Sequence, residues 1–408
     1  MKKLILCFIT ALVALSASAQ PWLFPNRKKV KPDTLKTVAM PSDTIPVPPK
    51  DSIAVTLSDE ELEDTFLSEV PEMVKVSLLL PLKSNSASPS RNFMEYYCGA
   101  LMAVRELGNN GYAIELNVYD TEDRSRPASY SMLEKSDIII GPVKCEEIAG
   151  VLLNCPDKYV ISPIEPKAAA LTDSLNVIQA PSSWKEQTEE MVAWLKAECG
   201  PLDRIVVFKD NSDSDKDGKV GYLLQLLQDS GLDYSQLSSV SGDALGQLPQ
   251  GTLRFVVASE REVFVCSAIN SISTIASRGE CPTVLYTTSS VRSLEGINAA
   301  SLFNANTRMT TSYYVDYEDA DVKQFILDYR ALFGNEPSSF AFSGYDTMTF
   351  HIEMCRKYGS RWIKRMHREE QWKGLQTDFK YNKSNSAGRI NRAIRKVVYS
   401  PDFSIKLL

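Results

Sequence analysis

The chemistry open to this chain is limited first by its histidines. There are two in 408 residues, His351 and His367. His351 lies on a helix face and His367 in an Arg/Lys/Glu-rich segment, which suits a packed and a solvated role respectively. Neither a Gly-x-Gly-x-x-Gly fingerprint nor a phosphate-cradling loop is present, and a Gly-x-Ser-x-Gly nucleophile elbow is also missing. The sharpest short motif is Asp213-Ser214-Asp215-Lys216-Asp217-Gly218 with Val220 two residues on, the first half of a calcium loop. Its twelfth position, where a bidentate carboxylate is needed, is Leu224, so the cage is open on one side. The competing reading is a polar loop leading into a helix, with its acids near the positive end. The expectation is therefore a chain that is not an enzyme and carries no cofactor, with Asp213, Asp215 and Asp217 as the only calcium candidates.

Polar and charged side chains recur directly after short apolar runs: Lys144 and Glu146, Glu165, Lys209 and Asp210, Glu260 and Arg261, Ser289 and Ser290. The runs themselves read as strands. Val74 to Leu80 begins by alternating and ends continuously apolar, as in a sheet covered on both faces. Phe93, Tyr96, Tyr97, Ala100, Leu101, Val104 and Leu107 then recur at helical spacing, with Asn92 and Glu95 as a capping box and Gly108 as the stop. Strands follow at Ile114–Asp120, Ile138–Ile140 and Tyr159–Ile161, separated by helices. A second series brings strands at 204–208, 253–257 and 284–286. Strands alternating with helices at this spacing make parallel sheets, and ligands of such sheets sit on loops at the carboxyl ends of the strands. Two long amphipathic helices, 321–333 and 340–358, precede a tail of β character over 375–379, 394–399 and 403–407.

At 408 residues, 44% hydrophobic and 24% charged, the chain has room for two globular domains. Net charge is −6, with no long basic block, which argues against nucleic acid as partner. Met1 to Ala19 reads as a secretory signal: Lys2 and Lys3, an apolar run from Leu4 to Leu15, and Ala17-Ser18-Ala19 for cleavage. An uncleaved anchor is the alternative, but the apolar run falls short of the ~20 residues a span needs. Residues 20–71 are proline-rich and aperiodic, with a basic cluster at Arg27 to Lys31 and an acidic one at Asp59 to Asp64, and read as a disordered spacer. Cleavage leaves seven cysteines, so at least one is unpaired in a monomer.

Taken in order, Val74–Leu80, Met94–Ala100, Val118-Tyr119-Asp120, Ile139-Ile140-Gly141-Pro142, Val160-Ile161-Ser162-Pro163 and Gly344-Tyr345-Asp346 resemble the type I periplasmic binding proteins, of which the branched-chain amino-acid binders are the best-known group. The resemblance covers about residues 72–408. It implies an α/β fold of two doubly wound parallel-sheet lobes joined by three crossovers, near 177–183, 312–316 and 372–375. Lobe one would be 72–180 plus 314–372, and lobe two 181–313 plus 373–408. Arg91, Lys144, Glu165, Lys209, Asp210, Glu260, Arg261 and Ser290 would then face the cleft, with Lys144 and Arg261 meeting a charged ligand from opposite lobes. Tyr345 and Asp346 match the family's motif and join the candidates, with a hinge role as their alternative.

The loops depart from the amino-acid binders. Where a Ser/Thr-rich loop takes the ligand carboxylate in that group, this chain has Gly141-Pro142-Val143-Lys144-Cys145-Glu146, and a later Thr-containing turn is replaced by Ile164-Glu165-Pro166. Two readings follow. One is a periplasmic or cell-envelope protein that closes on a small polar ligand, served by a membrane transporter. The other uses the same fold to dock a cell-wall synthesis or surface protein, as the resemblance to lipoprotein activators of peptidoglycan synthases implies. A two-lobed glycosyltransferase shares the gross shape but lacks an evident nucleotide-sugar site.

Overall fold

The computed structural model describes residues 69–123, 128–239 and 245–408. The signal segment and the spacer up to residue 68 lie outside the described residues. Lobe one is built on a sheet in the order β2 (Ile114–Asp120), β1 (Val74–Leu80), β3 (Ile138–Ile140), β4 (Val160–Ser162), β5 (Val177–Gln179) and β11 (Arg389–Ile390), every pair parallel. Lobe two repeats that order in its first five strands: β7 (Tyr234–Leu237), β6 (Arg204–Lys209), β8 (Leu253–Ala258), β9 (Thr283–Thr288) and β10 (Arg308–Thr311). It then adds β12 (Arg395–Tyr399) and β13 (Ile405–Leu407) antiparallel at the edge. In both lobes the order reverses beside the first strand, which places a crevice at its carboxyl end.

Alternation decides which helix each strand residue meets. Val76, Leu78 and Leu80 of β1 and Ile138 and Ile140 of β3 pack on one face, and Leu79 and Ile139 on the other. In lobe two, Leu253 and Phe255 of β8 pack opposite to Val256 and Ala258. Such two-sided burial is why these strands read as continuous apolar runs. Helix α1 (Arg91–Asn109) covers β1, and the long α9 (Ser339–Tyr358) lies against it through glycine. A Cβ on Gly99 would stand 1.8 Å from the Ala341 carbonyl oxygen, and one on Gly344 2.0 Å from that of Tyr96. The expected capping box does not form. Asn92 lies within the helix, Ser90 takes the cap position, and Glu95 instead bonds Arg91 and the Ser338 amide, so it ties α1 to the start of α9. Gly108 is likewise inside the helix, which ends one residue later.

The chain passes between lobes after Gln179, after Thr311 and at Asn391–Ala393. The last passage corrects the expectation of 372–375. Leu375 to Phe379 alternates like a strand, but it forms only an isolated bridge, Trp372 with Phe379. Phe379 and Tyr381 are buried in the lobe-one core, with Phe379 stacked on Phe350 at 4.6 Å, and β11 then joins the lobe-one sheet beside β5. Residues 373–390 therefore go with lobe one.

One knot ties the three passages. Arg395, buried at the start of β12, donates to the Asp378 carboxylate and to the carbonyls of Tyr314, Gly374 and Leu375. Asn391, also buried, donates 2.8 Å bonds to the Ala180 and Asp378 carbonyls and accepts from the amides of Lys380 and Ala393. Asp346 on α9 accepts the amides of Leu375, Gln376 and Thr377 at 2.8 Å. Burial nonetheless pushes its pKa up to about 6, against those three bonds and the nearby Arg395. Removing one member of a buried ion pair costs ~3–5 kcal/mol, because the other charge stays buried and unpaired. Arg395→Met should lower stability to urea by that order, and Arg395→Met with Asp378→Leu should recover a large part of it.

His351 is packed between Phe350, Trp362 and Phe379, and its Nδ1 lies 2.7 Å from the Thr347 carbonyl. Burial lowers its pKa to about 4. The unfolded chain therefore binds a proton that the folded one refuses, and stability is lost as pH falls from about 6.5 to about 4. Asp346 works in the opposite direction over nearly the same window, since a raised carboxyl pKa adds stability as pH falls through about 6. A comparison with His351→Asn cancels the Asp346 contribution. The wild type should lose on the order of 3 kcal/mol relative to that variant between pH 6.5 and 4, measured by urea titration at each pH.

Candidate functional site

Since β5 and β10 run into the passages from their carboxyl ends, the carboxyl ends of both sheets face the space between the lobes. The loops there form two rims. On lobe one, Asp120 at the end of β2 holds the loop that follows β1: its carboxylate accepts the amides of Lys83, Ser84 and Glu122 and the Ser84 hydroxyl. Partial burial opposes ionisation, but these bonds outweigh it and keep the Asp120 carboxyl below the usual range. Lys83 at φ 54° completes the tight turn. Gly141 follows β3 at φ +82°, and a Cβ there would meet the Leu79 carbonyl at 2.0 Å, so only glycine fits.

Most of the candidate charges are paired within their own lobe. Lys144, at the start of α3 (Cys145–Asn154), bonds Glu122 at 2.8 Å and Glu147 at 3.1 Å, and these two bonds hold its ammonium above the ordinary value. Arg91 pairs with Glu95 on α1. Glu165 caps a short 3-10 turn through the Lys167 amide, while its carbonyl accepts from Gln179. On lobe two, Arg261 bonds the buried Asp210 at 3.0 Å, and Asp210 also accepts the Ser212 amide. Glu260 pairs with Lys219 at the start of α5 (Lys219–Asp229), and Ser290 bonds Thr288. Lys209 closes β6 at the same rim. Lys144 and Arg261 thus each have a carboxylate in hand, and neither stands as a bare charge toward a ligand.

Tyr345 and Asp346 are elsewhere. Tyr345 packs on Phe325 of α8 (Ala320–Phe333) and donates to Glu106 at 2.7 Å, and Asp346 belongs to the knot at the passages. Asp346 thus braces the segment beside Arg395, Tyr345 makes its contacts within lobe one, and neither lies on the rims. The calcium candidates also resolve otherwise. Asp213 accepts the amides of Asp215 and Glu260 and the Ser259 hydroxyl, Asp215 accepts those of Val220 and Gly221, and Asp217 bonds Lys219. Their oxygens point at separate donors, as in a loop that caps α5, and among the described residues no group of three such ligands converges.

A cavity of about 160 Å³ opens at the carboxyl ends of β8 and β9. Its floor is apolar, with Val220, Leu223, Val257 and Leu294, and its mouth carries Ser259, Thr287, Thr288 and the Lys219–Glu260 pair. A cavity of ~150 Å³ holds benzene, so this one admits a group of about that size. Trp184, the first residue of α4 (Trp184–Glu198), forms one wall and stands edge-on to Tyr222, with Lys185 over both rings. Sequence reasoning misses Trp184, Lys219 and Thr288. The available signal was Trp184's position two residues after Ser182, where the chain has just crossed to the second lobe, inside the Ser183/Glu186 capping box.

Comparison with known proteins supports the architecture. No family model matches the chain, and no curated protein matches it. Among solved structures, a putative branched-chain amino acid ABC transporter protein from Rhodospirillum rubrum matches with a TM-score of 0.57 at 13% identity, covering 82% of this chain and 100% of that one. A Desulfitobacterium hafniense ABC transporter substrate-binding protein in complex with Leu matches at TM-score 0.48 and 14% identity, with the same coverage. A Rhodopseudomonas palustris solute binding protein in complex with 3,4-dihydroxy benzoic acid matches at TM-score 0.43 and 13% identity, covering 80% of this chain and 93% of that one. The chain has the type I periplasmic binding protein fold: two α/β lobes with parallel-sheet cores joined by three passages. Among the described residues no helix is long and apolar enough to cross a membrane.

Asp120 gives the first test of the rim. Asp120→Ala should leave the loop after β1 without its acceptor, so that the amides of Ser84 and Glu122 exchange with solvent at least several-fold faster, while β1 and β2 amides are unchanged.

Proposed function

We propose that this protein is a non-enzymatic, extracytoplasmic ligand-binding protein whose two lobes close on a small polar solute bearing an apolar or ring-shaped group. The single observation behind this reading is the cavity at the carboxyl ends of β8 and β9, lined by apolar side chains together with hydroxyls and one ion pair. Such a mixture suits a ligand that buries one end and hydrogen-bonds at the other. Closure would follow from population shift: a ligand that touches both rims binds the closed form more tightly and moves the lobes toward it. The rim pairs Lys144–Glu122 and Arg261–Asp210 fit a neutral or zwitterionic solute better than a bare anion, because a new anion must compete with carboxylates already in place. A membrane transporter as the recipient of the solute belongs to the same reading, as does the secretory signal at Met1–Ala19.

A second reading, docking of a cell-wall synthesis or surface protein, is favoured by a different observation. Tyr313, Tyr317 and Ile405 are exposed around a recess of about 270 Å³ that also includes Arg292 and Tyr399, and Phe403 is 62% exposed. Aromatic residues with arginine at a shallow recess are the composition of interface anchors.

A thermal-shift screen of the full chain against amino acids, short peptides, sugars, cell-wall fragments and small aromatic acids separates the two. A ligand at 100 times its dissociation constant stabilises the folded state by ~2.7 kcal/mol, a shift of several degrees. The hit should vanish in Thr288→Phe, which blocks the mouth, with the unliganded midpoint within about a degree of wild type. If no compound shifts the midpoint of the folded protein, the solute reading fails and the aromatic recess becomes the surface to test.

A further inference from the structure

The lobe-two sheet ends in a strand with an open edge. β13 is last in the strand order and is paired on one side only, with β12. The Leu408 amide donates to the Lys396 carbonyl and the Ser400 amide to that of Ser404, so alternate residues of this hairpin arm turn their backbone groups to β12. The residues between them, Ile405 and Leu407, then point their N–H and C=O away from the sheet, to a side where no strand lies among the described residues. Ile405 and Lys406 are exposed. An open edge of this kind is a template for one more strand.

The recess of about 270 Å³ opens beside the same strand, since Ile405 lines it together with Tyr313, Tyr314, Tyr317 and Tyr399. A cavity of ~150 Å³ holds benzene, so one ring-sized or branched side chain fits. The single charged residue in its lining is Arg292, which lies over the Tyr314 ring and forms no ion pair among the described residues. Lys406, on the opposite face of β13 from Ile405, forms none either. An entering strand therefore meets backbone groups along the edge, an apolar seat beside it, and unanswered positive charge on both faces. A second copy of β13, aligned so that Ile405 and Leu407 exchange bonds with their counterparts, sets Lys406 directly opposite Lys406, which like-charge repulsion opposes.

We infer that β13 accepts an extended acidic segment of a partner protein as a further strand of the lobe-two sheet. One aromatic or branched side chain of that segment sits in the recess, and its carboxylates meet Arg292 and Lys406 on the two faces. Backbone bonds to Ile405 and Leu407 supply affinity whatever the sequence, while the recess and the two cations select it. The inference rests on the docking reading given above and names the chemistry of the partner.

The probe is a fluorophore-labelled, capped heptapeptide, Glu-Val-Glu-Phe-Glu-Glu-Glu, and the control is its counterpart with lysine at every glutamate. Anisotropy with the full chain should show saturable binding of the glutamate peptide, weakened several-fold at about 0.5 M salt, and none of the lysine peptide. Ile405→Pro removes an edge N–H that faces away from the sheet, where proline is tolerated. It should lower the affinity at least tenfold, with the thermal midpoint within about two degrees of wild type. Arg292→Glu with Lys406→Glu should reverse the preference between the two peptides, which a merely structural role for these cations would not do. Binding that survives Ile405→Pro overturns the strand addition and leaves the recess as a docking surface. Equal binding of both peptides overturns the acidic partner, and failure of both to bind the folded wild type overturns the inference and the docking reading together. A dimer in sedimentation that Ile405→Pro dissociates assigns the edge to a second copy and overturns the separate partner.

Discussion

Arg395 is where the two lobes become one molecule. A guanidinium has five donors in a fixed fork and no acceptor, so a buried arginine must be surrounded by oxygens that the fold supplies. Here the oxygens come from Tyr314 on the second passage, from Gly374, Leu375 and Asp378 just ahead of the third, and Arg395 itself opens the strand that the third passage leads into. Asn391 adds the first passage through Ala180. Three segments distant in sequence therefore satisfy one another's polar groups in a space that excludes water. The arrangement resists separation of the passages, while the rims, with their bonds kept within each lobe, remain independent. That combination is what a hinge requires: a fixed pivot and free jaws.

The same economy explains the charges at the rims. Each strand that ends in the cleft releases a loop whose backbone amides need acceptors, and Asp120, Asp210, Asp213 and Asp215 answer that need locally. Lys144 and Arg261 then neutralise carboxylates that the loops have gathered, Glu122 and Asp210 respectively. A side chain that follows a strand end into the cleft is thus also a loop brace in three dimensions. The calcium-like run is the clearest case, since its aspartates are spaced for a cage and used as caps.

Much of the fold was legible because buried parallel strands leave a strong imprint. Val74–Leu80, Ile138–Ile140 and Arg204–Phe208 cannot be anything but covered strands, and the two long helices near the C-terminus show their faces by period. What stayed hidden has physical causes. Tyr234–Leu237 is an outer strand beside β6, half-buried and polar, so it lacks the apolar run that marks its neighbours. Arg308–Thr311 is a buried strand written with threonines, whose hydroxyls bond backbone carbonyls such as that of Gln187. The third passage was misplaced because Leu375, Thr377 and Phe379 alternate for local reasons: Thr377 offers its amide to Asp346, and Phe379 enters the lobe-one core. Tyr345 and Asp346 were legible as a motif, though periodicity alone could not say which side of α9 faced the joint.

The candidate cavity shows why fold and site separate in legibility. Its walls come from α4, α5, the helix Glu262–Arg278, β8 and β9, with no sequence spacing shared among their contributions. Trp184 becomes part of it only because the first passage delivers α4 to lobe two with its amino end at the mouth, and Lys219 only because the Asp-rich loop places the start of α5 beside Glu260. Strand order dictates where such a cavity can form, at the carboxyl ends, and the helix starts dictate its chemistry. Residues that first appear to be helix-initiating, Trp184 after a serine cap and Lys219 after a left-handed glycine, are thereby brought into its lining.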